Sequence, residues 1–268
     1  MKQKQLQTLL KRPATWLAGG GEESELVLST RVRLARNIEG MTFTHCADAS
    51  ELEEVCAEAM SALKLAPSMK DSFFLDMNDT TEPDRMILAE RRLISQAMIR
   101  RYANRGLAVV KGEKLSVMIN DEDHLRLQSF ESGLALNEAF ERAIRLDDEL
   151  DGSLEFAFSD QYGYLTACAT NVGTGLRVSV IVHLPGLVHN GDIRQDSDGL
   201  RQVSLGVRGG DGEGREVGGN FFQISNSITL RLSESDTMMN MDSHIRKVLE
   251  FEKNARETLL KEARSLLE

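Results

Sequence analysis

GLAVVKGEKLSVMINDEDHLR, running from Gly106 to Arg126, holds two short apolar runs on either side of Gly112. Leu115, Val117 and Ile119 alternate with Ser116 and Met118, the period of a half-buried strand, and Leu107–Val110 stands opposite them. A hairpin is predicted, and its two strands run antiparallel. Downstream, Leu136, Ala139, Phe140, Ala143 and Ile144 share one face of a helix over Ala135–Leu150. Strands follow over Tyr164–Cys168 and Leu176–Leu184. In the second, Leu176, Val178, Val180, Val182 and Leu184 line one face, while Arg177, Ser179 and His183 line the other. Strands Gln202–Val207 and Asn220–Ser225 bracket the glycine-rich segment RGGDGEGREVGG, and one long helix begins after Ser233.

Upstream of the hairpin, Ser50 and Glu53 make a capping-box pattern for a helix carrying Leu52, Val55, Cys56, Ala59 and Leu63, closed by Pro67. Ser72–Met77 reads as a strand and Arg85–Ser95 as a helix. Residues 3–11 form a short helix ended by Pro13, and Gly19-Gly20-Gly21 makes a flexible joint. The expected organisation is an N-terminal helix and joint over 1–22 and one domain over 23–268. Antiparallel strands interrupted by helices, without strand–helix alternation of the parallel kind, indicate α+β: a mainly antiparallel sheet flanked by helices.

Lys plus Arg number 32 and Asp plus Glu 42, a net charge of −10. That sign argues against a general nucleic-acid binder and leaves room for attracting basic proteins. Apolar runs fall far short of the roughly 20 residues of a membrane span, and the N-terminus lacks the apolar core of a signal peptide. Cys46, Cys56 and Cys168 have no CxxC spacing, so neither a disulfide framework nor structural zinc is expected. A cytoplasmic, reducing location follows.

Ser29-Thr30-Arg31-Val32-Arg33 puts two arginines two apart, on one face if the stretch is extended, where they can chelate a polyphosphate or simply form a solvated basic strand. Asn120-Asp121-Glu122-Asp123-His124-Leu125-Arg126 places acids at the end of an apolar strand, as a site or as an acidic turn. Arg208-Gly209-Gly210-Asp211-Gly212-Glu213 combines an arginine, a carboxylate and a backbone that lets amides approach phosphate. No GK[ST] follows, so it is not a Walker A loop, and an ordinary hairpin loop remains open. Asn171-Val172-Gly173-Thr174-Gly175 is a glycine turn that delivers Arg177 onto a strand.

Taken in order, STRVRLAR, NDEDHLR, YLTACATNVGTGLR with SV, and RGGDGEG with GGNFFQISN resemble the catalytic domain of the phosphagen (ATP:guanidino) kinases, in particular the bacterial protein arginine kinase branch. The resemblance runs from about Glu25 to about Glu257. It implies ATP and Mg2+ as cofactors, the ion held mainly by the nucleotide phosphates, and arginine side chains of proteins as phosphoryl acceptors. It assigns Arg31, Arg33, Arg126, Arg177 and Arg208 to a cage around the phosphates. Ser29, Thr30, Val32, Arg92, Val178, Ser179, Val180, Ile181 and the loop from Gly209 through Gly210, Asp211 and Gly212 to Glu213 complete the nucleotide site. No protein-held metal is implied. Glu122 and Glu213 are the implied clamp and proton acceptors for the guanidinium, and Cys168 the active-site thiol. An activator protein, a Clp-type protease and a role in stress response are further implications.

The chain departs from the family pattern at four places: Asp121 replaces a glutamate, Arg92 a histidine, Ala169 a proline and Val178 a small residue. The departures at Arg92, Ala169 and Val178 keep a non-catalytic ATP-binding regulator or adaptor open as an alternative, while the shortening at Asp121 is tolerable if Glu122 is the catalytic member. A free-arginine-type, small-molecule guanidino kinase is the other. Only about 25 residues precede the motif region, so the substrate-specificity loop of the small-molecule kinases is expected to be missing. The C-terminal regulatory domain of protein arginine kinases is likewise not expected, and a monomer without nucleic-acid or membrane partners follows.

Overall fold

A computed structural model describes residues 13–191, 205–209 and 218–265. Its centre is an antiparallel eight-stranded sheet in the order β2-β3-β4-β5-β1-β8-β10-β9. The strands are β1 (Val27–Arg36), β2 (Ser72–Asp76), β3 (Gly106–Val110), β4 (Leu115–Ile119), β5 (Leu125–Ser132), β8 (Leu176–His183), β9 (Leu205–Gly209) and β10 (Phe221–Asn226). A separate small hairpin pairs β6 (Phe158–Ser159) with β7 (Gly163–Tyr164). The helices are α1 (Ala49–Leu65), α2 (Glu82–Glu90), α3 (Gln96–Arg100), α4 (Leu136–Asp151), α5 (Pro185–Asn190) and α6 (Glu234–Ser265).

One face of the sheet is covered along its length. Val32 and Leu34 of β1, Val117 and Ile119 of β4, and Val178, Val180 and Val182 of β8 join Val55, Ala59 and Leu63 of α1, Ala139, Ala143 and Leu146 of α4, and Met241, Ile245 and Val248 of α6 in one core. Each Val, Leu, Ile or Met side chain among them contributes about 1.5–3 kcal/mol by leaving water, and each Ala less. On the opposite face Ala14 and Trp16 pack on Phe130 of β5, and a second small cluster lies at one end of the sheet. There Leu107, Val109 and Met118 meet Leu75 of β2, Leu88 and Ala89 of α2, and Met98 of α3. Strands β5, β1, β8 and β10 carry their second face beyond that small cluster, and there the polar alternation of the sequence falls.

The hairpin, the β8 alternation, α4 and the long C-terminal helix lie where their periodicities place them, within a residue or two. Several local readings change. The capping box of α1 is Asp48 with Glu51, two residues before the expected pair, and Ser50 instead donates to Asp48 Oδ1 at 2.7 Å. The helix read over Arg85–Ser95 starts earlier, on a Thr81–Asp84 capping box, and ends at Glu90; the chain turns at Arg92, which has a φ of 61°, and α3 begins at Gln96. The strand read over Tyr164–Cys168 shrinks to β7, because residues 165–168 give their backbone groups to side chains and turns. Gly21, read as part of a flexible joint, is packed: a Cβ there would lie 2.6 Å from the Ser132 carbonyl oxygen. The expected helix over 3–11 lies outside the described residues.

Buried polar groups tie the elements together. Glu252 of α6 is fully buried and accepts the backbone amides of Gly186 and Leu187, both at 2.9 Å, fastening the first turn of α5. Thr30 donates to the Gly133 carbonyl at 2.7 Å and accepts the Ala135 amide at 3.1 Å, fixing the entry of α4 against β1.

Candidate active site

Strand register gathers the arginines. Arg33 lies opposite Arg177 of β8 and Gln128 of β5; Arg31 lies opposite Ser179 and Phe130; Arg126 lies opposite Ala35, two residues beyond Arg33. Directly paired residues point to the same face, as do residues two apart on one strand. Ser29, Arg31, Arg33, Arg126, Arg177, Ser179 and Ile181 therefore share the face opposite the main core. Arg208 occupies the register position opposite Gln223, which in turn pairs with Ile181. Thr30, Val32, Val178 and Val180 project to the covered side and are fully buried. Their side chains hold the floor of the sheet beneath the arginine row.

Cations so arranged repel one another. Among the described residues Arg31 donates to Ser179 Oγ at 3.3 Å and Gln223 Oε1 at 3.4 Å, both neutral. Burial, then the charges of Arg92, Arg126 and Arg177, push its pKa down to about 9. Arg33 is driven down by burial and by Arg31, Arg126 and Arg177, with Asp121 opposing, and its Nε is a buried donor without a partner among the described residues. A folded pKa below the unfolded one means that charging Arg31 costs folding free energy in full at pH below about 9, neutral pH included, and that the cost fades only as pH rises from there toward the ordinary guanidinium pKa. A bound polyanion would remove the same cost. Tripolyphosphate is therefore expected to raise the thermal midpoint at pH 7.5. Arg33→Gln should stabilise the free protein while reducing that increment at least severalfold. Calorimetric scans with and without the anion measure both effects, and an unaltered increment in Arg33→Gln would remove Arg33 from the phosphate cage.

At the end of this row the acidic turn closes one wall of a pocket of about 420 Å3. Asp121, Glu122 and Arg126 line it from the sheet, Ser95, Met98 and Arg101 from around α3, and Thr44, His45, Ala97, Arg105 and Ala167 complete it. Asp121 accepts Arg126 Nη1 at 2.7 Å and Ser95 Oγ at 2.5 Å. Its carboxylate thus aims Arg126 and secures the N-cap of α3. Glu122 is exposed, and its backbone carbonyl accepts from the Thr44 hydroxyl, which leaves the carboxylate available in the pocket. The two adjacent acids differ: Asp121 is paired on both oxygens, while the Glu122 carboxylate has no hydrogen-bond or ion-pair partner among the described residues.

Asp123 and His124 hold this turn in place. Asp123, 2% exposed, accepts Asn37 Nδ2 at 2.8 Å and the Ala167 amide at 2.7 Å. His124 accepts the Ile38 amide at Nδ1, 3.0 Å, so Nε2 carries the proton that reaches the Thr42 carbonyl at 2.9 Å. Burial lowers the His124 pKa and favours the neutral ring. One carboxylate, Asp123, thereby connects the turn bearing Glu122 to the segment bearing Cys168. Cys168 is half-buried, and its Sγ lies 3.1 Å from Thr170 Oγ1. The glycine turn that follows is obligatory. Gly175 has a φ of 64°, and a Cβ added there would lie 2.6 Å from the Ala35 carbonyl oxygen, so a side chain would separate β8 from β1 and Arg177 from Arg33.

Arg92 reaches the row from the side. Its guanidinium lies 5.1 Å above the ring of Trp16, its positive φ is one that non-glycine residues seldom adopt, and its charge is the foremost electrostatic influence on Arg31. Trp16 donates to the Arg91 carbonyl at 3.3 Å, and Gln128 to the Arg92 carbonyl at 3.3 Å. These contacts fix the turn. Trp16, Gln128 and Asn37 carry no motif signal in the sequence, because each acts through a neighbour distant along the chain, and Arg101 and Arg105, which line the pocket, carry none either. Gly210, Asp211, Gly212 and Glu213 lie outside the described residues, as does the side chain of Arg208.

The ATP:guanido phosphotransferase family model, C-terminal catalytic domain, matches residues 51–255. A protein-arginine kinase of Halothermothrix orenii is 43% identical over 252 residues, covering 94% of this chain and 72% of that relative. One of Pelotomaculum thermopropionicum is 39% identical over 260 residues, covering 94% and 72%. Among solved structures, the duplicated taurocyamine kinase of Schistosoma mansoni, with bound transition state analog components, superimposes with a TM-score of 0.80 at 26% identity. That match covers 91% of this chain and 36% of the duplicated enzyme.

Proposed function

Because the chain belongs to the ATP:guanido phosphotransferase family, we propose that it is an ATP-dependent protein arginine kinase. The observation that carries this reading is Arg126, which belongs both to the row of mutually repelling arginines and to the pocket that holds Glu122. A polyanion on the row and a guanidinium in the pocket would meet beside it. The buried, unpartnered Nε of Arg33 fits a phosphate oxygen. Identity to relatives named protein-arginine kinase, 43% and 39%, exceeds the 26% to the taurocyamine kinase, which supports a protein acceptor over a small guanidino compound.

ATP supplies the γ-phosphoryl group. Arg31, Arg33, Arg126, Arg177 and Arg208 bind its phosphates and oppose the charge that spreads over the transferring group. A guanidinium nitrogen is a poor nucleophile because its lone pair is delocalised and its pKa lies above about 12. Glu122, with Glu213, orients that nitrogen and accepts its proton as the N–P bond forms and the bond to the ADP oxygen breaks. Cys168 flanks the guanidinium. Mg2+ is expected to be shared by the phosphates; among the described residues, no three His, Cys, Asp or Glu side chains are gathered to hold an ion.

Among the described residues no helix is long and apolar enough to cross a membrane, and Cys46, Cys56 and Cys168 are free thiols. Both features suit a cytoplasmic enzyme, acting as a monomer on proteins destined for a Clp-type protease under stress, with an activator protein as regulator. Incubating the chain and ATP with mixed proteins, and separately with free arginine, tests the activity by acid-sparing mass spectrometry. Phosphate on protein arginine is expected. Phosphate on free arginine alone would transfer the reading to a small-molecule kinase, and none on either to a regulator.

A further inference from the structure

A second cavity, of about 720 Å3, adjoins the pocket that holds Glu122 and shares Ala97 and Arg101 with it. The two lie on either side of the C-terminal end of α3. Met86 and Ile99 give the second cavity an apolar lining, Met86 being 51% exposed. Arg100 and Arg101 bring two exposed cations to its rim, neither with a carboxylate partner among the described residues, against one acidic lining residue, Glu82. An open apolar groove with surplus positive charge stands out on a chain whose net charge is −10.

We infer that this groove receives the polypeptide flanking the target arginine and selects acidic residues beside it. The inference rests on the protein arginine kinase reading. An arginine side chain in the Glu122 pocket has its own backbone outside that pocket, and the groove is the neighbouring cavity, lined in part by the same Ala97 and Arg101. A carboxylate on a neighbouring substrate residue would meet Arg100 or Arg101, and an apolar neighbour would cover Met86. Small guanidino compounds have no such flanking chain, so the groove adds specificity only for polypeptides. The favourable contact is with a rim charge, which changes binding and leaves the chemistry at Glu122 untouched.

Two peptides that each contain one arginine, flanked by Glu in one and by Lys in the other, test this with the full 268-residue chain. The Glu peptide is expected to show a KM lower by roughly three- to tenfold, the scale of exposed charge pairs, at similar kcat. Arg100→Glu should erase or invert the preference without altering kcat, and Arg100→Lys should retain it. Equal KM values for both peptides with the wild-type chain, or a preference unmoved by Arg100→Glu, would overturn the groove assignment alone. Failure to phosphorylate either peptide would overturn the protein-kinase reading and the groove with it.

Discussion

Glu122→Gln is expected to lower turnover on protein arginine on the order of a hundredfold or more, the scale of a lost base that also orients its substrate. The substitution keeps the size of the side chain and removes the charge that would hold a guanidinium. Asp121 cannot take over, because its two oxygens already serve Arg126 and Ser95. ATP binding should change by no more than about twofold, since the arginine row is left intact. Single-turnover rates and equilibrium nucleotide titration separate the two effects. Near-wild-type turnover would exclude Glu122 as the proton acceptor. Glu213→Gln, the other half of the proposed clamp, is expected to act in the same direction.

A comparably large effect on stability is expected at a residue remote from the chemistry. Arg36, at the end of β1, is fully buried and gives Nε and Nη2 to Asp147 Oδ2 at 3.2 and 2.6 Å. Its Nη1 donates to the carbonyls of Ala35 and Thr174, and its guanidinium lies 3.5 Å over the Tyr164 ring. Asp147→Ala removes the hydrogen-bonded counter-charge and leaves a fully buried guanidinium whose Nε and Nη2 have lost their acceptor, with Glu234 acting on it only through space. The expected loss is about 3–5 kcal/mol, measured as a lower midpoint and extrapolated free energy in urea unfolding. The residue after Arg36 is Asn37, which binds both Asp123 and the His124 amide. The damage should therefore extend to the acidic turn, and substrate KM is expected to rise in any Asp147→Ala protein that remains folded. An unchanged urea midpoint would mean that the ion pair contributes nothing net.

Much of the architecture follows from short-range patterns. Period-two alternation over Leu176–His183 buries the valines and turns Arg177 and Ser179 the other way, whatever lies beside the strand. The period-3.6 stripe of α6 places Met241, Ile245 and Val248 in the core, and beyond Ala255 the helix becomes largely exposed, where the stripe thins. These are properties of a strand or a helix by itself, so residue spacing suffices to predict them. The motifs likewise mark the arginines and Glu122 as candidates, because charged residues recurring on an otherwise apolar strand need a reason to be there.

Other features arise only when distant segments meet. Strand β5 carries Gln128, Ser129 and Ser132 on a run with no clean alternation, and it becomes a strand because β1 and β4 pair with it on both sides. The break at Arg92 is invisible in a run of good helix formers; Trp16 and Gln128 impose it from outside the segment. Adjacent acids in NDEDHLR have the same chemistry in isolation. Ser95, Arg126, Asn37 and Ala167, drawn from four separate parts of the chain, occupy Asp121 and Asp123 and leave Glu122 open. Sequence by itself determined which way each strand and helix faces, since that depends on residues a few positions apart. Tertiary structure decided which charges are satisfied and which remain available, since a partner can come from anywhere along the chain and burial sets the value of each pairing.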